Sequence, residues 1–141
     1  MSETVQLTKT FDGMPGTTAL ARRAAAAFMR SVAAVTGGSG DGGGSGDGGA
    51  GADTLLLVVS ELVANACRHA PGPCSLLLRW QPGRVEVSVF DRWEAEPVAR
   101  QPDLLSGAGG FGWPLVTRLA ESVRITHPAE GGKCIQVALS W

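Results

Sequence analysis

The stretch Ser60-Glu61-Leu62-Val63-Ala64-Asn65-Ala66-Cys67-Arg68-His69-Ala70 decides how this chain folds. At a helical advance of about 100° per residue, its polar side chains fall on one narrow stripe: Glu61, Asn65, Arg68 and His69. Apolar residues cover most of the remaining surface of this helix: Leu57, Val58, Leu62, Val63 and Ala66. We therefore expect a mostly buried helix with a polar seam. Buried polar groups need partners, and this partner could be protein, water, metal or ligand.

Length and composition restrict the class of protein. The chain has 141 residues, of which 44% are hydrophobic, which suits one domain with a real core. A net charge of −1 predicts no direct binding to nucleic acid, and no basic block predicts a membrane surface. The longest apolar run, Leu55 to Val59, is far too short to span a bilayer, and no signal sequence precedes it, so we expect a cytoplasmic protein. The cysteines predict buried thiols rather than disulfides or a zinc site: Cys67, Cys74 and Cys134.

The segments before the central helix predict a strand, a helix and an insertion. Val5 to Phe11 alternates between apolar and polar or β-prone residues, which is typical of a strand, here placed at a sheet edge. An amphipathic helix is expected to start at a cap on Thr17 or Thr18 and to run through Val35. Residues 37–51 are mostly glycine with Ser, Asp and Ala, a composition that predicts a flexible surface insertion within a single domain over residues 1–141.

The central helix and the segments that follow it predict a helix and then a pair of strands. The central helix is expected to begin at a cap on Asp53 or Thr54 and to end near Ala70. Cys74 to Trp80 has the length and composition of a strand, and the next strand shows strict alternation on one face: Val85, Val87, Val89 and Asp91. Asp91 thus ends a row of core-facing valines. Such a carboxylate either caps or pairs with a nearby arginine, or belongs to a site.

A loop from Arg92 to Ser106 is long enough to be a lid, and it leads into the glycine cluster Gly107-Ala108-Gly109-Gly110-Phe111-Gly112. The next helix is expected over Trp113 to Ser122. Glycines that open a helix form either an anion site or a plain flexible loop. Two final strands follow, one with Val123, Ile125 and His127 in alternation, the other with Ile135, Val137, Leu139 and Trp141.

This order of elements predicts an α+β fold, a two-layer sandwich with a mixed, mostly antiparallel sheet and helices on one face. The polar seam, Asp91 and the glycine cluster would then border one pocket between the helices and the sheet. No Ser/His/Asp set and no two-histidine metal spacing is present, so a hydrolase triad or zinc chemistry is not supported.

Two motifs resemble those of a known superfamily. Residues 60–70, Ser-Glu-Leu-Val-Ala-Asn-Ala-Cys-Arg-His-Ala, resemble the N box of the GHKL ATPases, and Gly-Ala-Gly-Gly-Phe-Gly-Trp-Pro-Leu-Val resembles their second glycine box. The short chain, its first strand and helix, and the turn Gly131-Gly132-Lys133 are most similar to the anti-sigma-factor serine/threonine kinases. The resemblance covers nearly the whole chain apart from the insertion, and it implies the Bergerat fold.

The resemblance also implies roles for individual residues. Asn65 would coordinate Mg²⁺ carried by ATP, Glu61 would be the general base, and Asp91 would accept a hydrogen bond from the adenine amino group. The residues that would wrap the phosphates are Gly107, Gly109, Gly110, Phe111 and Gly112. Arg68 or His69 would add a phosphate contact. The implied function is binding of Mg-ATP and phosphorylation of a Ser or Thr on an anti-anti-sigma-like antagonist, while a sigma factor or similar partner is held, with a homodimer as the implied form.

Two positions depart from the family pattern. The first glycine box usually reads Asp-x-Gly-x-Gly, whereas Asp91 is followed by Arg92-Trp93-Glu94-Ala95, and Cys134 stands where the last strand often has a Thr on the adenine side. Both changes bear on ATP binding more than on the fold. They favour an alternative function, a GHKL-fold protein-interaction module with impaired nucleotide use, and they leave open whether the protein is an enzyme. A stand-alone ATPase is a third alternative.

Overall fold

A computed structural model describes residues 3–37, 51–68, 72–93 and 112–141. The elements follow one another in the order β1 (Val5–Phe11), α1 (Thr17–Thr36), α2 (Ala52–Cys67), β2 (Cys74–Gln81), β3 (Arg84–Asp91), α3 (Gly112–Leu119), β4 (Ser122–Thr126) and β5 (Lys133–Ser140). This architecture confirms the predicted α+β fold with two layers. The predicted single domain spans undescribed segments and stays a prediction.

The sheet has the strand order β1-β2-β3-β5-β4, and every pairing among the described strands is antiparallel. The predicted position of β1 at an edge is confirmed. Strands β4 and β5 form a hairpin, although β5 rather than β4 lies next to β3. Because β5 lies between β3 and β4, its first residue, Lys133, pairs with the last residue of β3, Asp91.

Burial alternates along the strands as the sequence predicts. The face of the sheet towards the helices carries the apolar row that forms most of the core: Leu76, Leu78, Val85, Val87, Val89, Ile135, Val137 and Leu139. The opposite face is largely polar, with exposed residues such as Arg79, Arg84 and Arg124. Helix α2 buries Leu55, Val58, Val59, Leu62, Val63 and Ala66 against α1 and the sheet. The central helix is therefore mostly buried, as its sequence indicates.

The helix starts differ from the prediction in their capping residues. Helix α1 has Gly16 at its N-cap, at φ 96°, and no side chain caps it. The hydroxyl of Thr17 instead donates a hydrogen bond to the carbonyl of Met14 at 2.6 Å. Helix α2 likewise starts after Gly51 without a side-chain cap, so the caps expected at Thr17 or Thr18 and at Asp53 or Thr54 were wrong.

Several predicted ends shift by a few residues. Helix α2 ends at Cys67 with Arg68 as its C-cap, and residues 69–71 lie outside the described part of the chain. Helix α3 ends at Leu119 rather than Ser122, because Ser122 already pairs with Ala138 in the β4–β5 ladder. The insertion expected over residues 37–51 is described only at its two ends. Gly37, at φ 71°, donates its amide to the carbonyl of Ala33 and ends α1. None of the described helices is both long and apolar enough to cross a membrane.

Candidate functional site

The polar seam of α2 places Asn65 one helical turn after Glu61. The side-chain carbonyl oxygen Oδ1 of Asn65 is buried, and no donor among the described residues forms a hydrogen bond with it. Leaving such an acceptor unsatisfied costs about 1–3 kcal/mol. A cation can satisfy an amide oxygen as well as an N–H donor can, and Mg²⁺ prefers oxygen ligands. Asn65 therefore fits the metal-ligand role expected of it.

Glu61 reaches across to the start of α3. A Cβ atom built on Gly112, the first residue of α3, would coincide with the carboxylate of Glu61 at Oε2 and Cδ. A side chain at position 112 would require this carboxylate, the flexible end of the Glu61 side chain, to move. A negative charge at a helix N-terminus is stabilised by the helix dipole and the unpaired N–H groups. The seam of α2 and the end of the glycine cluster are thus adjacent, as predicted.

The remaining phosphate-side residues are less fully described. The side chain of Arg68 is exposed at the end of α2, and its backbone amide donates to the carbonyl of Asn65 at 3.3 Å. Five predicted residues lie outside the described part of the chain: His69, Gly107, Gly109, Gly110 and Phe111. Their assignment to the site stays a prediction.

Asp91 lies at the end of β3 on the face that carries Val85, Val87 and Val89, as alternation predicts. Its side chain is 2% exposed and forms an ion pair with Lys133, whose side chain is 1% exposed. The ammonium nitrogen Nζ lies 3.0 Å from Oδ1 and 2.9 Å from Oδ2. The sequence suggested a nearby arginine as one alternative partner for this carboxylate, and the structure supplies a lysine.

Trp93 contributes its backbone to the same cluster. Its amide donates to Oδ1 of Asp91 at 2.7 Å, and its carbonyl lies 3.4 Å from Nζ of Lys133. Oδ1 of Asp91 thus accepts two hydrogen bonds. Oδ2 lies 2.9 Å from the ammonium nitrogen in the ion pair but forms no hydrogen bond with the described residues. One buried oxygen of Asp91 consequently keeps unused acceptor capacity.

Cys134 does not join Asp91. In the β3–β5 ladder Asp91 pairs with Lys133, whereas Cys134 pairs with Phe90 and, on its other side, with Thr126. Successive residues of a strand point to opposite faces, so Cys134 lies on the face away from the helices. The position expected of Cys134 is therefore corrected, and Lys133 occupies it. The alternation of Ile135, Val137 and Leu139, extended back by two residues, would have indicated Lys133.

The three thiols behave as predicted for core cysteines: all are free, Cys74 and Cys134 are buried, and Cys67 is half-buried. Burial raises the pKa of the Cys74 thiol from 9.0 to about 12, and the neighbouring Cys67 adds to the increase. Burial also raises the pKa of Cys67 and of Cys134. Because the thiolate is the reactive form, none of the three is suited to nucleophilic chemistry near neutral pH.

The arrangement fits a metal that arrives with its own ligands. No group of three or more His, Cys, Asp and Glu side chains among the described residues could hold a metal ion together. Asn65 offers one oxygen, which suits Mg²⁺ bound mainly through phosphates and water. The part of the site that would face the nucleobase fits ATP less well, because the carboxylate of Asp91 already forms an ion pair with Lys133.

The family comparison agrees with this geometry. A model of the histidine kinase-like ATPase domain matches residues 13–139, which include α1, the seam of α2, Asp91 and the hairpin with Lys133. No curated protein gives a significant match. ATP binding is the property that this kind of domain implies. The chain belongs to the family of histidine kinase-like ATPase domains.

Proposed function

We propose that this domain binds Mg-ATP and transfers its terminal phosphoryl group to a Ser or Thr hydroxyl of an antagonist protein, while it sequesters a sigma factor or a similar partner. The observation that carries the nucleotide part is the buried Oδ1 of Asn65, for which the described residues provide no donor. The resemblance to the anti-sigma-factor kinases supplies the protein partners, the cytoplasmic location and a homodimer.

The proposed chemistry assigns a separate task to each residue. Bound Mg²⁺ would neutralise charge on the phosphates, with Asn65 as its protein ligand. Glu61 would accept the proton of the attacking hydroxyl, whose oxygen bonds to the terminal phosphorus as the bond to the bridging oxygen breaks and ADP leaves. The glycines from Gly107 to Gly112 would hold the phosphates, together with Arg68 or His69. Asp91 would face the adenine ring of ATP.

The position of Glu61 supports this assignment. Its carboxylate lies beside the N-terminus of α3, where the glycine cluster would hold phosphates. A general base must lie within reach of the hydroxyl that attacks the phosphorus, and a carboxylate one helical turn from a metal ligand meets that requirement. The same carboxylate would be repelled by bound phosphates, so it would have to turn away from α3 when nucleotide enters.

A second candidate is a protein-interaction module that retains the fold and uses nucleotide poorly. The observation that favours it is the buried ion pair between Asp91 and Lys133, because the carboxylate expected to face adenine already has a partner. Recovery of the same binding protein in equal amounts with and without nucleotide would support this module.

Turnover by Glu61→Gln tests the enzymatic proposal. We expect wild-type protein to form ADP from Mg-ATP, and Glu61→Gln to lose about 10²-fold or more of this rate while binding ATP normally, since only the base is removed. The control is Glu121→Gln, because Glu121 is exposed and lies outside the seam. Equal turnover by the two variants would contradict the role of Glu61. Absence of ADP formation in the wild type, in the presence of its antagonist protein, would favour the module.

A further inference from the structure

We infer that Lys133 sets the base selectivity of the nucleotide site, and that the wild-type protein distinguishes adenine from guanine only weakly. The inference rests on the proposed function, because it concerns the base side of the same site. Lys133 is assigned no role by the family resemblance or by the comparisons. Its evidence is the geometry at the adjoining ends of β3 and β5.

The backbone positions Lys133 against Asp91. The two residues are opposite each other in the β3–β5 ladder, so both side chains project from the same face of the sheet. Gly132 precedes Lys133 at φ 81°, and a Cβ atom there would collide with the backbone carbonyl of Asp91. The turn before β5 therefore passes so close to the end of β3 that it needs glycine, and this close approach holds the lysine in place.

The hydrogen bonds show which atoms of Lys133 and Asp91 are engaged with each other. An ammonium group has three donors; Nζ of Lys133 donates to Oδ1 of Asp91 and to the carbonyl of Trp93, and it lies 2.9 Å from Oδ2 of Asp91 in the ion pair. The charge of Lys133 is buried, so it depends on Asp91 for compensation. Lys133 cannot move into solvent without leaving the carboxylate buried and unpaired. The pair is thus a fixed part of the site rather than a surface contact.

This pair changes what Asp91 can recognise. A free carboxylate selects adenine because it attracts the exocyclic amino group of adenine and repels the exocyclic carbonyl of guanine. The ammonium of Lys133 cancels much of the negative charge and is itself attracted to a carbonyl oxygen. Oδ2 of Asp91 can still accept from an amino group, since it has no hydrogen bond to a described residue. A pair of donor and acceptor therefore tolerates both bases, whereas an acceptor alone would discriminate.

The test is the ratio of dissociation constants for Mg-GTP and Mg-ATP, measured by calorimetry. We expect a ratio within about threefold for the wild type and a ratio raised by about tenfold or more in Lys133→Met, which frees the carboxylate and keeps the length of the side chain. Lys133→Arg should keep the wild-type ratio, because it keeps the charge. Lys9→Met is the matched control, since the chain contains two lysines and Lys9 is exposed on β1.

The outcomes separate this inference from the proposed function. Wild-type protein that binds ATP more than about tenfold tighter than GTP would overturn the inference and leave the proposed function intact. The same conclusion follows if Lys133→Met folds, binds ATP and keeps the wild-type ratio. If neither triphosphate binds to the wild type or to any variant, the proposed function fails and takes the inference with it. Should Lys133→Met fail to fold, the wild-type ratio alone decides.

Discussion

The carboxylate of Glu61 occupies the space that a side chain at Gly112 would need. These residues come from different helices and are separated in sequence by β2, β3 and residues 94–111, which lie outside the described part of the chain. Their contact joins the polar seam of α2 to the N-terminus of α3, so the proposed base and the end of the glycine cluster form one surface. A side chain at position 112 would have to move the carboxylate of Glu61 out of this contact.

Substitution of Gly112 tests this contact. Gly112→Ala should turn the flexible carboxylate of Glu61 away from α3, and because the proposed function requires the same movement when nucleotide enters, we expect turnover to stay within about threefold of the wild type. Gly51→Ala is the control, because the space around Gly51 is open and its φ is −87°. The measurement is ADP formation alongside chemical unfolding. A loss of turnover of about tenfold or more in Gly112→Ala, with an unchanged free energy of unfolding, would show instead that turnover needs the carboxylate of Glu61 beside α3.

The buried ion pair makes Asp91 important for folding as well as for binding. Asp91→Asn leaves the ammonium of Lys133 buried without its counter-charge, so the free energy of unfolding should fall by about 3–5 kcal/mol. Glu86→Gln is the control, because it breaks the exposed pair with Arg84 and should cost less than about 1 kcal/mol. The measurement is urea unfolding.

The double variant Asp91→Leu/Lys133→Met completes this experiment. It removes both charges and should recover most of the stability that Asp91→Asn loses. If Asp91→Asn is no less stable than Glu86→Gln, the pair does not support the fold. Because a loss of stability can itself weaken binding, Asp91→Asn should be used to test adenine recognition only after its folding has been measured.

Alkaline pH should weaken the fold through Cys74. Its pKa is about 12 in the folded protein and 9.0 ordinarily, so the unfolded chain releases this proton first. The stability that the group contributes is complete below pH 9.0 and is lost as pH rises towards 12. Across this interval the wild type should lose about 1.4 kcal/mol per pH unit more than Cys74→Ala, by urea unfolding at each pH. Parallel pH profiles for the two proteins would contradict the shifted pKa.

The sequence predicted the features of this site that depend on local periodicity. Asp91 was placed correctly because alternation in a strand depends only on adjacent residues. Glu61 and Asn65 were placed on one seam because helical spacing is equally local. Lys133 was missed because its pairing with Asp91 depends on the register of two strands that are distant in sequence. The assignment of Cys134 failed by one residue, which is enough to move a side chain to the other face of a sheet.

The residues that cap the helices could also not be predicted from the local sequence pattern. Thr17 can cap a helix, but its hydroxyl donates to Met14, and the backbone turns through Gly16 instead. Both Thr and Gly are acceptable at N-caps, so composition alone did not decide between them.

Asn65 provides the most direct test of the central claim, which is that this domain binds ATP through Mg²⁺. The measurement is calorimetric titration of ATP into wild-type protein and Asn65→Ala, each with Mg²⁺ and with EDTA. Gln136→Ala, a change on the far face of the sheet, is the control. Without nucleotide, Asn65→Ala should be at least as stable as the wild type, because it removes a buried oxygen that has no hydrogen bond to the described residues. We predict tight binding that needs Mg²⁺ in the wild type and in Gln136→Ala, and binding weakened by about tenfold or more in Asn65→Ala. Equal ATP affinity in all three proteins, with or without Mg²⁺, would contradict the account.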